Sequence, residues 1–437
     1  MARKLKGLVA AVFAALLAVA LVPSAAFALE GTSSLTVSGL NAGDTVTLYK
    51  VASTTVNDDN TLKKAWDVAP DATTTVADYE GATEAGKKTI ANAIAANVAD
   101  DDIVATKTTT AAGSLTFDGL EAGLYYAKVV NADDASVVYQ NTLIPVNLKV
   151  DGSAWAYADP ETVALKKSPV SIAKQVSADG STYADSTDGV STNGTVYYKL
   201  TVTVPQYNGA ANRTFSVTDV LPAGIELDAA TVKVDGVAVT PVVDGQKMTV
   251  DLTDKLATKG GSTVTITYAA TLTGTTVVAG GRVNTATLTF SANSYDDSTK
   301  TTEDTAQVNN GGVKVVKKDE DGNKLQGAVF QLKSGTTVLA TGTSDANGNI
   351  TFDVALATGT YTLSETSAPA GYKPVADQTV SVTADSNTYT TVDVVDPKGT
   401  SGWLPSTGEA GTFGITLLGV LAVAGVAAMH VSGRKQN

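Results

Sequence analysis

Apolar and polar side chains alternate with a strict two-residue period along much of this chain, a pattern that fits half-buried β-strands and little else. Val196, Tyr198, Leu200, Val202 and Val204 alternate with polar neighbours until Pro205 ends the run. Ala286, Leu288 and Phe290 alternate in the same way with Thr285, Thr287 and Thr289. Threonine fills about one position in seven, a β-branched bias in the same direction. Short strands of this kind, punctuated by turn signals such as Asp321-Gly322 and Asn347-Gly348, predict an all-β chain of tandem immunoglobulin-like sandwiches. One helix interrupts the pattern, over 83–98, where Ile90 and Ile94 stand four apart in an Ala-rich stretch.

The 437 residues contain no cysteine, which excludes disulfides, thiolate nucleophiles and Cys-ligated metals. The single histidine, His430, lies in a C-terminal apolar stretch expected to be removed. A chain without either residue has no Ser-His-Asp triad and no His-ligated zinc, so we expect no enzyme, no metal and no cofactor. A formal charge of −13 disfavours nucleic acid and anionic membranes as partners. The stretch from Asp319 to Asn323 superficially resembles a calcium loop, but Phe330 stands where the bidentate Glu belongs, so a hairpin turn is expected.

Both ends carry processing signals. Arg3, Lys4 and Lys6 precede an apolar run from Leu8 to Val22 and an Ala26-Phe27-Ala28 cleavage site, predicting a secretory signal over 1–28. At the other end, after a Gly399–Gly402 linker, come Leu404, Pro405, Ser406, Thr407 and Gly408, an apolar stretch from Ile415 to Val431, and then Arg434-Lys435. This ordered trio resembles the LPXTG sorting signal of Gram-positive surface proteins. The resemblance implies that a sortase cuts after Thr407, makes it the acyl donor and joins the chain to peptidoglycan. The predicted organisation is a signal over 1–28, domains over 29–168, 169–307 and 308–398, and a linker with sorting signal and transmembrane segment over 399–437.

Polar residues standing on apolar strand faces are the most informative signal. Lys174 shares its face with Ile172 and Val176, Asp219 with Phe215 and Val217, and Asn284 with Ala286, Leu288 and Phe290. The third segment repeats the order: Lys317 follows Val313 and Val315, Glu365 follows Tyr361 and Leu363, and Asp396 follows Val392 and Val394. One such residue is ordinarily a strand end turned to water, but six in the same order in two segments argue for burial. Desolvation drives a lysine toward the neutral, nucleophilic amine and a carboxyl toward its protonated form. Held together, amine, acid and carboxamide or carboxyl can condense to an isopeptide bond, with Asn releasing ammonia and Asp releasing water. Such a bond is expected to tie the first strand of each domain to the last.

The residues VKVVKKDEDGNKLQGAVF (313–330) and YTLSETSAPAGY (361–372) resemble the opening strand and acidic motif of collagen-adhesin B-type domains. Carried over, Lys317 is the amine, Glu365 the catalytic acid and Asp396 the partner, where that family usually has Asn. The motifs SIAKQV, FSVTDVLPAG and NTATLTF over 169–293 resemble the middle domain of sortase-assembled fimbrial backbone pilins, implying a Lys174–Asn284 bond with Asp219 as its acid. The order of domains resembles a major pilin. That resemblance also implies an acceptor lysine closing the first domain after a Trp. Here Trp155 and Tyr157 precede Val163 to Pro169 without the family's Tyr-Pro, so the motif is degenerate. Lys167 matches its position best, and Lys166 is the better exposed if Val163 and Leu165 face inward. Aligning Gly123 with Gly359 matches Tyr125 to Tyr361 and puts Val129 in the place of Glu365, so no bond of this kind is expected in the first domain.

The expected function is a secreted, cell-wall-anchored structural subunit of a covalent pilus, self-crosslinked and assembled by a sortase with other copies and minor pilins. The competing reading is a monomeric wall-anchored adhesin for a host protein or glycan, or a tip or basal pilin.

Overall fold

Alternation becomes strands, and the strands fall into three groups of paired sheets. The computed structural model describes residues 29, 31–131, 133–207, 213–293 and 298–399. The amino-terminal apolar stretch, the LPSTG segment and the apolar stretch after it lie outside the described residues. Among the described residues no helix is long and apolar enough to cross a membrane.

In the first group, the strands Ser33–Leu40, Gly113–Leu120 and Glu161–Ala164 form one sheet, and Leu62–Trp66, Thr45–Val56, Gly123–Val130 and Thr142–Val146 another, with Ile103–Thr108 also paired to Thr45–Val56. The expected helix is Glu84–Asn97, capped by Thr83, whose hydroxyl accepts the Gly86 N–H at 3.2 Å. It buries Ala91, Ile94 and Ala95 beside Tyr49, Val51 and Tyr126. A second, six-residue helix, Val76–Gly81, was not legible: its one buried residue, Val76, offers no periodicity.

The middle group is a sandwich of a five-stranded sheet, led by Ser171–Ser177, Thr195–Thr203 and Thr263–Leu272, on a six-stranded sheet that includes Thr299–Val308, Arg282–Ser291 and Phe215–Val220. Between them lies a core that includes Val196, Tyr198, Leu200, Val202, Phe215, Leu288 and Phe290. The last group pairs a three-stranded sheet, in which Gly312–Asp319 is central and runs parallel to Tyr389–Asp396, with a four-stranded one containing Val329–Ser334 and Gly359–Ser367. Its seven strands include the short Asn349–Thr351, which pairs antiparallel with Gly312–Asp319.

The junctions between groups are polar. Lys300 Nζ of the middle sandwich donates to the Asp134 carbonyl at 2.5 Å and to that of Asn131 in the first group. Arg282 Nη1 donates to Asn310 Oδ1 at 2.8 Å, and Thr192 N–H donates to the Ala355 carbonyl at 2.9 Å, tying the middle sandwich to the last. The Asp319–Asn323 segment is a turn: Lys318 and Lys324 pair antiparallel, and the Asp319 carboxylate accepts the N–H groups of Asp321 and Asn323 at 3.0 and 2.8 Å.

The Asn347-Gly348 turn packs against the strand that carries Lys317. Gly348 has φ +73°, and a Cβ there would lie 2.2 Å from the Lys317 carbonyl oxygen. Gly348→Ala is therefore expected to destabilise the last sandwich by more than the roughly 1–2 kcal/mol of left-handed strain alone. Denaturant unfolding of the chain followed at that sandwich measures it, and an unchanged midpoint contradicts the packing described.

Candidate functional site

Among the described residues two lysines are fully buried, one in each of the last two sandwiches. Lys174 is 1 % exposed and Lys317 0 %, among valines, leucines and aromatic rings. Each stands on an inward position of its sandwich's first long strand, as the alternation predicts.

In the middle sandwich, Lys174 Nζ contacts Asp219 Oδ2 and donates to the Tyr268 hydroxyl at 3.1 Å. Tyr268 in turn donates to Asp219 Oδ2 at 2.7 Å and accepts from Asn284 Nδ2 at 2.8 Å. Amine and carboxamide thus converge on one phenolic oxygen. Asp219 is opposite Ala286 in the ladder, which sets Asn284 on the same face one pleat away. Tyr198 and Tyr268 are direct cross-strand partners, stacked with ring centroids 5.1 Å apart, and Lys174 Nζ lies 4.9 Å from the Tyr198 ring. Burial pushes the Lys174 pKa down against the pull of Asp219. The same burial holds the Tyr268 hydroxyl protonated, well above its ordinary pKa. Asp219 Oδ1 and Asn284 Oδ1 are buried without a donor.

In the last sandwich, Lys317 Nζ contacts Asp396 Oδ1 and lies 3.1 Å from Glu365 Oε2, with all three side chains fully buried. Lys317 and Asp396 belong to the parallel neighbours Gly312–Asp319 and Tyr389–Asp396, while Glu365 reaches across from the facing sheet. Lys317 Nζ sits 5.3 Å from the Phe330 ring. Burial raises the Glu365 pKa to about 6; the Val375 N–H and Lys317 oppose the rise and the Asp396 carboxyl adds to it. Glu365 Oε1 and Asp396 Oδ2 have no donor, so a proton on one of these acids is the group that would satisfy them.

The structure thus brings each predicted set together. It departs from expectation in one respect. The predicted Lys174–Asn284 pair joins the first strand of the middle sandwich to its penultimate strand, because Thr299–Val308 follows Arg282–Ser291. Sequence reasoning also missed Tyr268. The available signal was its inward position in a second alternating strand, beside Val264, Ile266 and Ala270.

The first group has no such set. No lysine is buried there among the described residues; the buried Asp44 is satisfied by Asn131 Nδ2 at 2.9 Å, the Asn41 N–H at 2.6 Å and the Tyr139 hydroxyl. The internal alignment nevertheless holds: Tyr125 donates to the Glu121 carbonyl at 2.8 Å and Tyr361 to that of Ala357 at 2.9 Å, each four residues upstream, and Val129 is buried. Leu165 is buried as expected, and Lys166 is 66 % exposed, 4.0 Å from Glu84, at a groove of about 470 Å³ that includes Tyr79, Lys87 and Leu124. Lys167 is exposed but held, donating to Asn41 Oδ1 at 2.8 Å with its Nζ 5.8 Å from the Tyr139 ring.

The fold is that of Gram-positive backbone pilins. Residues 311–398 match the family model described as SpaA, prealbumin-like fold domain. The T6 backbone pilin of serotype M6 Streptococcus pyogenes, which has a modular three-domain structure, superposes with a TM-score of 0.64 at 21% identity, covering 82% of this chain and 81% of that one. The major pilin SpaD of Corynebacterium diphtheriae gives 0.55 at 18% identity, covering 84% and 98%. The major pilin SpaA of the same organism gives 0.51 at 16%, covering 84% and 100%, and its structure points to a modular pilus assembly with stabilising isopeptide bonds. No curated protein matches the chain's sequence.

An acid that titrates near 6 gives the last site a pH signature. Glu365 keeps its proton up to about pH 6 and loses it above, so the form able to donate a proton is depleted as pH rises. If Lys317 condenses with Asp396 with Glu365 as the acid, the reaction in freshly synthesised chain should be faster below about pH 6 than well above it. The loss of one water, followed by intact mass against time, reads the rate, and a rate that rises with pH removes Glu365 from the role of acid.

Proposed function

We propose that this protein is a structural subunit of a covalently polymerised pilus anchored to the cell wall. The observation that carries the proposal is the pair of dry lysine–acid–amide or acid sets in tandem sandwiches with the backbone-pilin fold. In this reading Lys174 bonds to Asn284 with Asp219 as acid, and Lys317 bonds to Asp396 with Glu365 as acid. A sortase cleaves after Thr407 and passes its carbonyl to a lysine of the next copy, and the last copy is transferred to peptidoglycan. Minor pilins complete the fibre. A donor at one end and an acceptor far from it make a head-to-tail contact that does not close and so propagates. Of the two candidate acceptors, Lys166 is favoured by its exposure at the rim of a groove, whereas Lys167 already spends its amine on Asn41.

Changing Lys166 and Lys167 together to Arg is expected to abolish the SDS-resistant high-mass ladder in wall extracts while the monomer still reaches the wall. Arg keeps the charge but cannot act as the amine nucleophile. Ladders from the double variant place the acceptor elsewhere. A wild type that forms one discrete band in its native host replaces the pilin with the monomeric adhesin.

The internal bonds have a thermodynamic consequence. Glu365→Ala and Asp219→Ala should each leave a folded, unbonded sandwich. The lost crosslinks close loops of roughly 80 and 110 residues, for which chain entropy gives about 4–5 kcal/mol each. Stepwise thermal unfolding of wild type and variants checks this, and variants as stable as wild type contradict it.

A further inference from the structure

We propose that the Tyr268 hydroxyl is a catalytic residue of the middle sandwich, relaying to the leaving nitrogen of Asn284 the proton that Asp219 takes from Lys174. The inference rests on the Lys174–Asn284 bond proposed above and adds a group that the last sandwich lacks.

The condensation converts an amine and a carboxamide into a secondary amide and ammonia. The bond between Asn284 Cγ and Nδ2 breaks, the bond between Cγ and Lys174 Nζ forms, and one proton must travel from Nζ to Nδ2 for ammonia to leave. Asp219 contacts Nζ and can accept that proton. Among the described residues, however, the hydrogen bond donated by Asn284 Nδ2 ends on Tyr268 at 2.8 Å, not on Asp219. Tyr268 also touches Asp219 at 2.7 Å and Nζ at 3.1 Å. The hydrogen-bonded route from acid to leaving group therefore runs through one phenol. Protonated Asp219 donates to the Tyr268 oxygen while the Tyr268 proton passes to Nδ2, and both groups end as they began. The phenol stays neutral before and after, as its buried position requires.

The last sandwich is the internal contrast. There Glu365 and Asp396 both touch Lys317 directly, and the aromatic side chain beside Nζ is Phe330, which has no hydroxyl. Acid and leaving oxygen belong to carboxyls that meet each other, so no bridging hydroxyl is required.

The test follows both bonds in the same molecules during cell-free synthesis of the chain from Leu29 to Thr407, using intact mass against time and branched tryptic peptides. Tyr268→Phe, which keeps the ring and its stack on Tyr198, should slow loss of ammonia by roughly two orders of magnitude. Loss of water from the last sandwich should keep its wild-type rate. Tyr183→Phe deletes a phenol of the middle sandwich that lies outside the set, against Lys199, and should leave both rates unchanged. If Tyr268→Phe fails to fold, replacing all tyrosines by 3-fluorotyrosine decides: the more acidic phenol should change the rate of ammonia loss and not that of water loss. Equal rates of ammonia loss in wild type, Tyr268→Phe and fluorotyrosine chains overturn the relay alone. A wild type that never loses ammonia overturns the bond itself.

Discussion

A lysine amine taken out of water and set against a carboxyl is the interaction on which the other features of this molecule depend. Full desolvation of an ion pair costs several kcal/mol per ion unless every remaining donor and acceptor is met. Here they are not met: Asp219, Asn284, Glu365 and Asp396 each keep one bare buried oxygen. As charged groups these sets are expensive. As condensed amides, with ammonia or water gone, the joined atoms would leave no buried charge on nitrogen. The arrangement fits the reactant state of the proposed bonds, with the sandwich cores supplying the dry surroundings that favour a neutral, nucleophilic amine.

Within the proposed polymer this placement has a mechanical meaning. Tension would enter at Lys166 or Lys167 and leave through Thr407, so the first group of sheets hangs outside the covalent path. It is also the group whose buried acid, Asp44, takes its hydrogen bonds from the neutral Asn131, Asn41 and Tyr139. In the last sandwich the proposed bond joins parallel neighbouring strands and shunts load past nearly everything between them. In the middle sandwich it joins the two sheets through the penultimate strand, leaving Thr299–Val308 in the path, held by its long antiparallel ladder with Arg282–Ser291.

Much of this was legible because strands have period two. Once Ile172 and Val176 face inward, Lys174 must as well, and the same holds for Asp219, Asn284, Lys317 and Asp396. Glu365 was harder: its ladder with Val329–Ser334 shifts register beside it, yet the side chain still reaches the core. What the period does not carry is which inward residues of different strands meet. Tyr268 becomes visible only when Thr195–Thr203 and Thr263–Leu272 pair in register and set it opposite Tyr198. The helix Val76–Gly81 escaped for a different reason, since its reciprocal Thr75–Asp78 cap rather than an apolar stripe defines it. The two candidate acceptors were left open by pattern alone, and only their different partners, Glu84 for Lys166 and Asn41 for Lys167, separate them.

The most direct test of the central claim is the intact mass of the purified, fully matured chain, read with the tryptic peptides it yields. The expected mass lies below that of the mature sequence by one ammonia and one water, with branched peptides joining Lys174 to Asn284 and Lys317 to Asp396. A mass equal to that of the sequence, with all four residues recovered in linear peptides, would contradict it.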